Sequence, residues 1–138
     1  MEAYRVLSQT VIGLMPSAPG AAGATGSAML NFETQQVEVT AIGLPAPSFF
    51  GTDPSTGRPF NVYEAWLVST SENLFASLGE MKLVAGAYVV RARSPIPLTE
   101  FNSIVITPED KMGPQFISGP WVMTGMFTQV VPMPKPRG

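Results

Sequence analysis

Prolines and glycines interrupt this chain too often for long helices to form. There are 14 prolines and 13 glycines among 138 residues, and no stretch keeps apolar residues at the i, i+3, i+4, i+7 spacing of an amphipathic helix over three turns. Between the interruptions lie short segments rich in β-branched and aromatic residues. The sequence therefore predicts an all-β protein, with helix limited to short turns such as one near residues 98–101.

Several segments have the apolar patterns of β-strands. Residues 27–32 and 37–41 alternate apolar and polar positions around a polar turn, as in a hairpin. Residues 62–70 are apolar on both faces, which is typical of a central strand, so Tyr63 and Trp66 are predicted to be core residues and not a platform for a ligand. Further strand candidates are residues 4–14, 75–81, 87–92, 103–107 and 121–127. Their regular spacing favours a single immunoglobulin-like β-sandwich over residues 27–128.

The composition excludes several classes of site. The chain has no histidine and no cysteine, which excludes serine–histidine and zinc mechanisms, thiolate chemistry and disulfides. Its net charge is -2, and its eight basic residues are scattered singly, so a nucleic acid is not an expected partner. Apolar stretches are too short for a membrane span, and no signal peptide is visible.

The acidic residues give only weak indications of a site. Glu109 and Asp110, with Asp53, could offer oxygen ligands to calcium, but their spacing is not that of a calcium loop, and we interpret them as parts of solvated turns. Glu64 and Glu100 could form a glycosidase-like carboxylate pair, although nothing in the sequence brings them together. We therefore predict no catalytic residue, no metal, no cofactor and no small-molecule substrate.

Three motifs resemble the extracytoplasmic domain of the anti-sigma-K factor family. They are "GLP" at residues 43–45, "YEAWLV" at residues 63–68 and "IVITPEDKMGPQFISGP" at residues 104–120. The resemblance covers residues 27–126 and implies a small β-sandwich with no known active site. Regulators of that family also have a helical sigma-binding domain and a transmembrane helix, for which this sequence shows no counterpart. The resemblance thus implies a fold and an extracytoplasmic setting without implying the same role.

The first 26 residues are interpreted as a donor arm. Residues 16–26, "PSAPGAAGATG", have the composition of a flexible linker, and residues 4–14 have the composition of a strand. The strand could pair within its own domain as an edge strand, but so long a flexible linker, or leash, favours donation of the strand to a neighbouring copy. The residues predicted to lie at that subunit interface are Tyr4, Val6, Leu7, Val11, Ile12 and Leu14.

Two other segments have possible interface roles. The long loop of residues 48–60 carries Phe49, Phe50 and Phe60, which either close one end of the sandwich or contact another subunit. The tail, residues 129–138, has Pro132, Pro134 and Pro136 and is predicted to be extended and polyproline-like, suited to lying along a neighbour's surface.

These features together predict a non-enzymatic structural subunit. It would assemble with copies of itself by N-terminal strand donation, and a one-way contact of this kind builds an open filament. The expected location is extracellular or at a cell or spore surface. The alternative function is a ligand-sensing or protein-binding module related to the anti-sigma-K factor domain, and a third is an enzyme that uses carboxylates alone.

Overall fold

The strands of this protein close into an eight-stranded antiparallel β-barrel in a computed structural model that describes residues 9–113 and 115–128. The strands are β1 Gln9–Pro16, β2 Thr25–Asn31, β3 Gln36–Ile42, β4 Val62–Ser69, β5 Leu74–Val84, β6 Ala87–Arg93, β7 Ser103–Glu109 and β8 Met123–Met126. Around the barrel they follow the order β1-β2-β3-β6-β5-β4-β7-β8. Helix within the described residues is limited to the 3-10 turns Pro19–Ala21, Pro47–Phe50 and Leu98–Glu100. The all-β prediction and the turn near residues 98–101 are confirmed.

The immunoglobulin-like sandwich is not confirmed, because two corner strands close the sheet. Strand β5 pairs with β4 through residues 74–81 and then with β6 through residues 82–84. Strand β1 pairs with β2 through residues 9–14 and with β8 through Met15 and Pro16. Each corner strand thus belongs to both of two five-stranded sheets, β1-β2-β3-β6-β5 and β5-β4-β7-β8-β1. The barrel includes a strand that the sequence analysis assigned to an arm outside the folded domain.

Apolar side chains fill the barrel interior, and they come from the alternate strand positions that the sequence predicts. On β2 and β3, the apolar residues Ala28, Leu30, Val37, Val39 and Ala41 are all buried. Direct cross-strand partners include Ala28 with Val39 and Leu30 with Val37, which confirms the hairpin of residues 27–41. Successive strand residues point to opposite faces, so the intervening polar residues lie outside.

Strand β4 is buried on both faces, as its sequence predicts. Tyr63 and Leu67 belong to the barrel core, whereas Trp66 and Val68 form a separate apolar cluster on the outer face with Val105. Residues 115–122, here called the strap, cross this outer face and add Ile117 to the cluster. The predicted burial of Trp66 is confirmed at 3% exposure, with the strap as part of its cover. The described residues contain no helix with the length and hydrophobicity needed to span a bilayer.

Candidate functional site

Strand β1 contains the described part of the predicted donor strand, residues 4–14. Tyr4, Val6 and Leu7 lie outside the described residues. Leu14 is buried in the barrel core and Ile12 packs against that core, whereas Val11 is exposed on the outer face. Within the single chain this strand occupies its own barrel, and its donation to another copy stays a prediction.

The two edges of β1 are held very differently. Toward β2 the strand makes six residue pairs, from Gln9 with Asn31 to Leu14 with Gly26. Toward β8 it makes two, Met15 with Thr124 and Pro16 with Met123. This short pairing, here called the seam, is where the barrel closes. Because each ladder pair adds backbone hydrogen bonds and side-chain contacts, the seam is the weaker of the two edges.

Four exposed apolar side chains lie on or beside β1. Val11 is 70% exposed, Met15 68% and Met126 71%, and Met29 is also exposed. Val11 is the cross-strand partner of Met29, and Met15 pairs with Thr124, two residues before Met126 on β8. These four residues are called the β1 patch. Groups of exposed apolar residues are typical of interaction surfaces, and methionine adapts readily to different contacts.

The connection from β1 to β2 is packed, and the interpretation of it as a flexible leash is wrong for the single chain. Ala21 and Ala24 are buried in the core cluster, and the Ala21 amide donates to the Ala18 carbonyl at 3.0 Å. Gly20 lies so close to Phe49 that an added Cβ would be 2.5 Å from Phe49 Cε2. Small residues permit this approach, so a composition typical of linkers here forms a tight connection.

The loop of residues 48–60 divides between the two roles left open for it. Phe60 is buried, and Phe50 stacks edge-on against Tyr63 with ring centroids 6.4 Å apart, so this part covers the barrel. Phe49 packs edge-on against Phe50 at 5.4 Å but remains largely exposed. A subunit contact at Phe49 stays a prediction.

An apolar pocket lies between the strap and the outer face of β4 and β5. Its volume is about 530 Å³, and its lining residues are Trp66, Phe75, Ser77, Gln115, Phe116, Ile117 and Trp121. Trp66 was predicted from the sequence to be a core residue and not part of a ligand site, and the other lining residues were not predicted as a group. The available signal was the pair of aromatic residues, Phe116 and Trp121, in a segment rich in glycine and proline, where side chains cannot all be buried in a strand core.

A chain of hydrogen bonds fixes the strap over Trp66. Trp66 Nε1 donates to Thr107 Oγ1 at 2.9 Å, and Thr107 Oγ1 donates to Glu109 Oε2 at 2.6 Å. The Glu109 carboxylate also accepts the backbone amides of Ser118 at 3.1 Å and Gly119 at 3.3 Å. Burial raises the pKa of Glu109, and these hydrogen bonds oppose that rise. Glu109 therefore ties the strap to β7.

The prediction that the acids near residue 110 lie in solvated turns is wrong. Asp53, Glu109 and Asp110 are all less than 5% exposed. Asp110 accepts hydrogen bonds from Thr56 Oγ1 at 2.8 Å and Arg58 Nε at 2.9 Å. The Thr56 hydrogen bond is the main cause that lowers the pKa of Asp110. Buried backbone in long loops needs polar partners, and these carboxylates supply them.

The buried acids do not form a recognisable metal site. Asp53 Oδ1 accepts the Ser55 amide at 2.7 Å, while its Oδ2 is buried without a hydrogen-bond partner. Over residues 9–113 and 115–128, no three acidic side chains are grouped as metal ligands would be. The cluster is best described as the support of the long loop.

No family model matches this chain, and no curated protein matches it. The resemblance to the anti-sigma-K factor family therefore stays a prediction. The seam, the β1 patch and the pocket are the features of the structure that bear on function.

Proposed function

We propose that this protein is a non-enzymatic structural subunit that assembles with copies of itself by exchanging strand β1 between barrels. The seam is the observation that carries this proposal. The strand nearest the start of the described chain is held on one side by two residue pairs, Met15 with Thr124 and Pro16 with Met123. Strand β1 is therefore the element that can leave the barrel while the hairpins of the remaining strands stay intact.

The energetics of exchange favour this mode of assembly. Withdrawal of β1 uncovers Leu14 and part of Ile12, and burying one such side chain is worth about 1.5–3 kcal/mol. The β1 strand of a second copy fills the same groove with the same contacts, so this loss is recovered in the assembly. The equilibrium between closed monomers and exchanged assemblies then depends mainly on the cost of opening the β1–β2 connection and on protein concentration.

The connection between β1 and β2 is suited to opening. Its buried side chains are those of Ala21 and Ala24, and each exposed methyl group costs only about 0.8 kcal/mol. Opened, this segment of small residues would act as a flexible span between two barrels. One-way donation would give an open filament, whereas reciprocal exchange would give a closed dimer. The sequence-based prediction of a surface filament corresponds to the first form.

The β1 patch supports the same proposal. Two of its residues lie on β1, the strand that would cross between copies, and the other two lie on the neighbouring strands β2 and β8. All four would therefore lie at the junction of neighbouring barrels. Burial of Val11, Met15 and Met126 there would add apolar contact area that the single barrel leaves in water.

A reversible lock on β1 tests the proposal. Gly13 pairs with Ser27 across β1 and β2, and a Cβ at Gly13 meets no atom within 4 Å. The chain has no cysteine, so the double variant Gly13→Cys, Ser27→Cys, oxidised as a monomer at high dilution before it is concentrated, forms one disulfide that holds β1 in its own barrel. The oxidised variant should be monomeric by light scattering and show no fibres by negative-stain microscopy. Reduction should restore assembly.

A lock elsewhere supplies the control. Ser27 pairs with Thr40 across β2 and β3, so the double variant Ser27→Cys, Thr40→Cys joins two strands that stay in one barrel. It should assemble whether oxidised or reduced. Assembly of the oxidised Gly13→Cys, Ser27→Cys variant at the level of the reduced form would overturn the proposal.

The pocket favours a second candidate function, a binding module. Its volume of about 530 Å³ lies within the range of about 300–1,000 Å³ that is usual for ligand sites. A protein that stays monomeric at micromolar concentration, with β1 always in its own barrel, would favour this alternative.

A further inference from the structure

The side chains that line the pocket are of the kinds that bind proline-rich peptide segments. Four of its lining residues are aromatic, namely Trp66, Phe75, Phe116 and Trp121, and Ser77 and Gln115 add polar groups. Aromatic-lined grooves bind polyproline II segments because such segments are already extended and lose little conformational entropy on binding. Phe116 is 56% exposed and Phe75 42%, so the aromatic surface is open to a partner.

A carboxylate without an ion-pair partner among the described residues lies beside the pocket. Glu64 on the outer face of β4 accepts a hydrogen bond from the pocket residue Ser77. No lysine or arginine among the described residues forms an ion pair with Glu64, whereas the neighbouring Glu80 is paired with Lys82 and Lys111. A proline-rich ligand with a basic end would therefore complement both the aromatic wall and the charge of this site.

Residues 129–138 have this chemistry. Their sequence is QVVPMPKPRG, with prolines at 132, 134 and 136 and with Lys135 and Arg137 between and after them. We propose that this tail docks in the pocket of its own chain, with the prolines against the aromatic residues and the basic side chains toward Glu64. This inference rests on the pocket and the tail alone, so it stands whether or not β1 is exchanged.

The topology places the end of β8, from which the chain continues toward the tail, on the same side of the barrel as the pocket. Met126 pairs with Ser103, Ser103 with Val68, and Val68 with Phe75, so the end of β8 and the pocket residue Phe75 lie in one row across four adjacent strands. Three strand spacings amount to about 14 Å. Ten extended residues span about 31 Å, which is enough to cross this row and continue along β4 to Glu64.

Attachment to the same chain favours this occupant over an external one. A tethered segment of suitable length experiences an effective local concentration in the millimolar range. At micromolar protein concentration, the tail of the same chain would therefore outcompete that of a second copy for equal contacts. The tail of the same chain is therefore the occupant that we assign to the pocket.

Tryptophan fluorescence gives a direct test, because both tryptophans of the chain line the pocket. The full-length variant Gly138→Cys carries a nitroxide on its single thiol, and nitroxides quench tryptophan emission at short range. Docking predicts strong quenching that disappears when the nitroxide is reduced and that stays constant on dilution from micromolar to nanomolar concentration. Absence of quenching, or quenching that is lost on dilution, would overturn docking within one chain.

Variants of the tail and of the pocket identify the contact. Replacement of Pro132, Pro134 and Pro136 by alanine keeps the length and charge of the tail and should abolish most of the quenching. Phe116→Ser should do the same, whereas Phe49→Ser alters an exposed phenylalanine outside the pocket and should leave the quenching unchanged. Quenching that survives both the proline and the Phe116 changes would show that the tail does not use this pocket, and the proposal would be wrong.

Discussion

Leu14 of β1 lies directly against Gly125 of β8, and this contact allows the barrel to close. A Cβ added at Gly125 would lie 2.5 Å from Leu14 Cδ2 and 2.6 Å from the Gly13 carbonyl oxygen. The leucine side chain could turn away, but the backbone oxygen could not move without shifting β1. Glycine at position 125 therefore determines how closely β1 approaches β8.

Gly125→Ala should weaken the seam. We expect a loss of about 1–3 kcal/mol in the free energy of unfolding, as for other insertions of a methyl group into a closely packed site. Urea denaturation measures this loss. On the proposed function, the same variant should exchange β1 faster. Gly13→Ala is the matched control, because a Cβ at position 13 meets no atom within 4 Å. If both variants lowered the free energy of unfolding equally, the seam geometry would be contradicted.

Trp66→Ala should be strongly destabilising. Trp66 is buried and its indole nitrogen donates a hydrogen bond to Thr107 Oγ1, so its removal leaves a cavity and deletes this bond, at a cost of about 3–5 kcal/mol. Trp121→Ala should cost clearly less, since Trp121 is 38% exposed. Denaturant unfolding of the two variants gives the comparison, and similar losses would contradict the burial of Trp66 beneath the strap.

Stability should pass through a maximum at mildly acidic pH. Burial raises the pKa of Glu64 and of Glu109 above the ordinary value of 4.5, so their stabilising contribution is complete below that value and falls as the pH rises through the raised values. The pKa of Asp110 is lowered from 3.8, so its contribution is lost as the pH falls through the lowered value. Urea midpoints between about pH 3 and pH 8 measure this curve.

One substitution isolates part of the pH dependence. Glu64→Gln keeps an acceptor for Ser77 and removes the carboxylate, so the decline in stability above the maximum should become shallower. Glu72→Gln changes an exposed carboxylate outside this network and serves as the control. An identical slope for Glu64→Gln and the unaltered protein would refute the assignment.

Tyr63→Phe should destabilise the barrel modestly. The Tyr63 hydroxyl donates to the Pro45 carbonyl at 2.6 Å, which joins β4 to the segment after β3. Removing the hydroxyl should lower the free energy of unfolding by about 0.5–1.5 kcal/mol, the usual net value of such a bond. Thermal or urea unfolding provides the measurement. A more stable Tyr63→Phe variant would argue against this bond.

The strands were predictable because their signals are local. Residues 62–70 are apolar on both faces, and the structure covers both faces of β4. The closure of the barrel was not predictable in the same way. It depends on which edges β1 and β5 meet, and such long-range pairing leaves no signal in local alternation. The composition of residues 16–26 even gave the wrong expectation, because small residues serve tight packing as well as flexibility.

The candidate sites were predictable only in part. The strand that carries Val11, Ile12 and Leu14 was predicted from the β character of its segment, whereas the role of these residues at a subunit interface stays a prediction. The pocket joins Phe75 on β5 with Phe116 and Trp121 on the strap, residues that are far apart in sequence. The buried acids were misjudged for a related reason: the hydrogen bonds of Asp110 come from a loop about 50 residues earlier.

Cross-linking between chains measures strand exchange most directly. The single variants Gly13→Cys and Ser27→Cys, one of them labelled with nitrogen-15, are refolded together, oxidised and analysed by non-reducing electrophoresis and mass spectrometry. Since Gly13 pairs with Ser27, exchange predicts a disulfide-linked heterodimer well above the dimer that either variant forms alone. A mixture of the Ser27→Cys and Thr40→Cys variants should give none, because β2 and β3 remain in one chain. A Gly13→Cys and Ser27→Cys mixture with no more heterodimer than that control would contradict the exchange of β1 between copies.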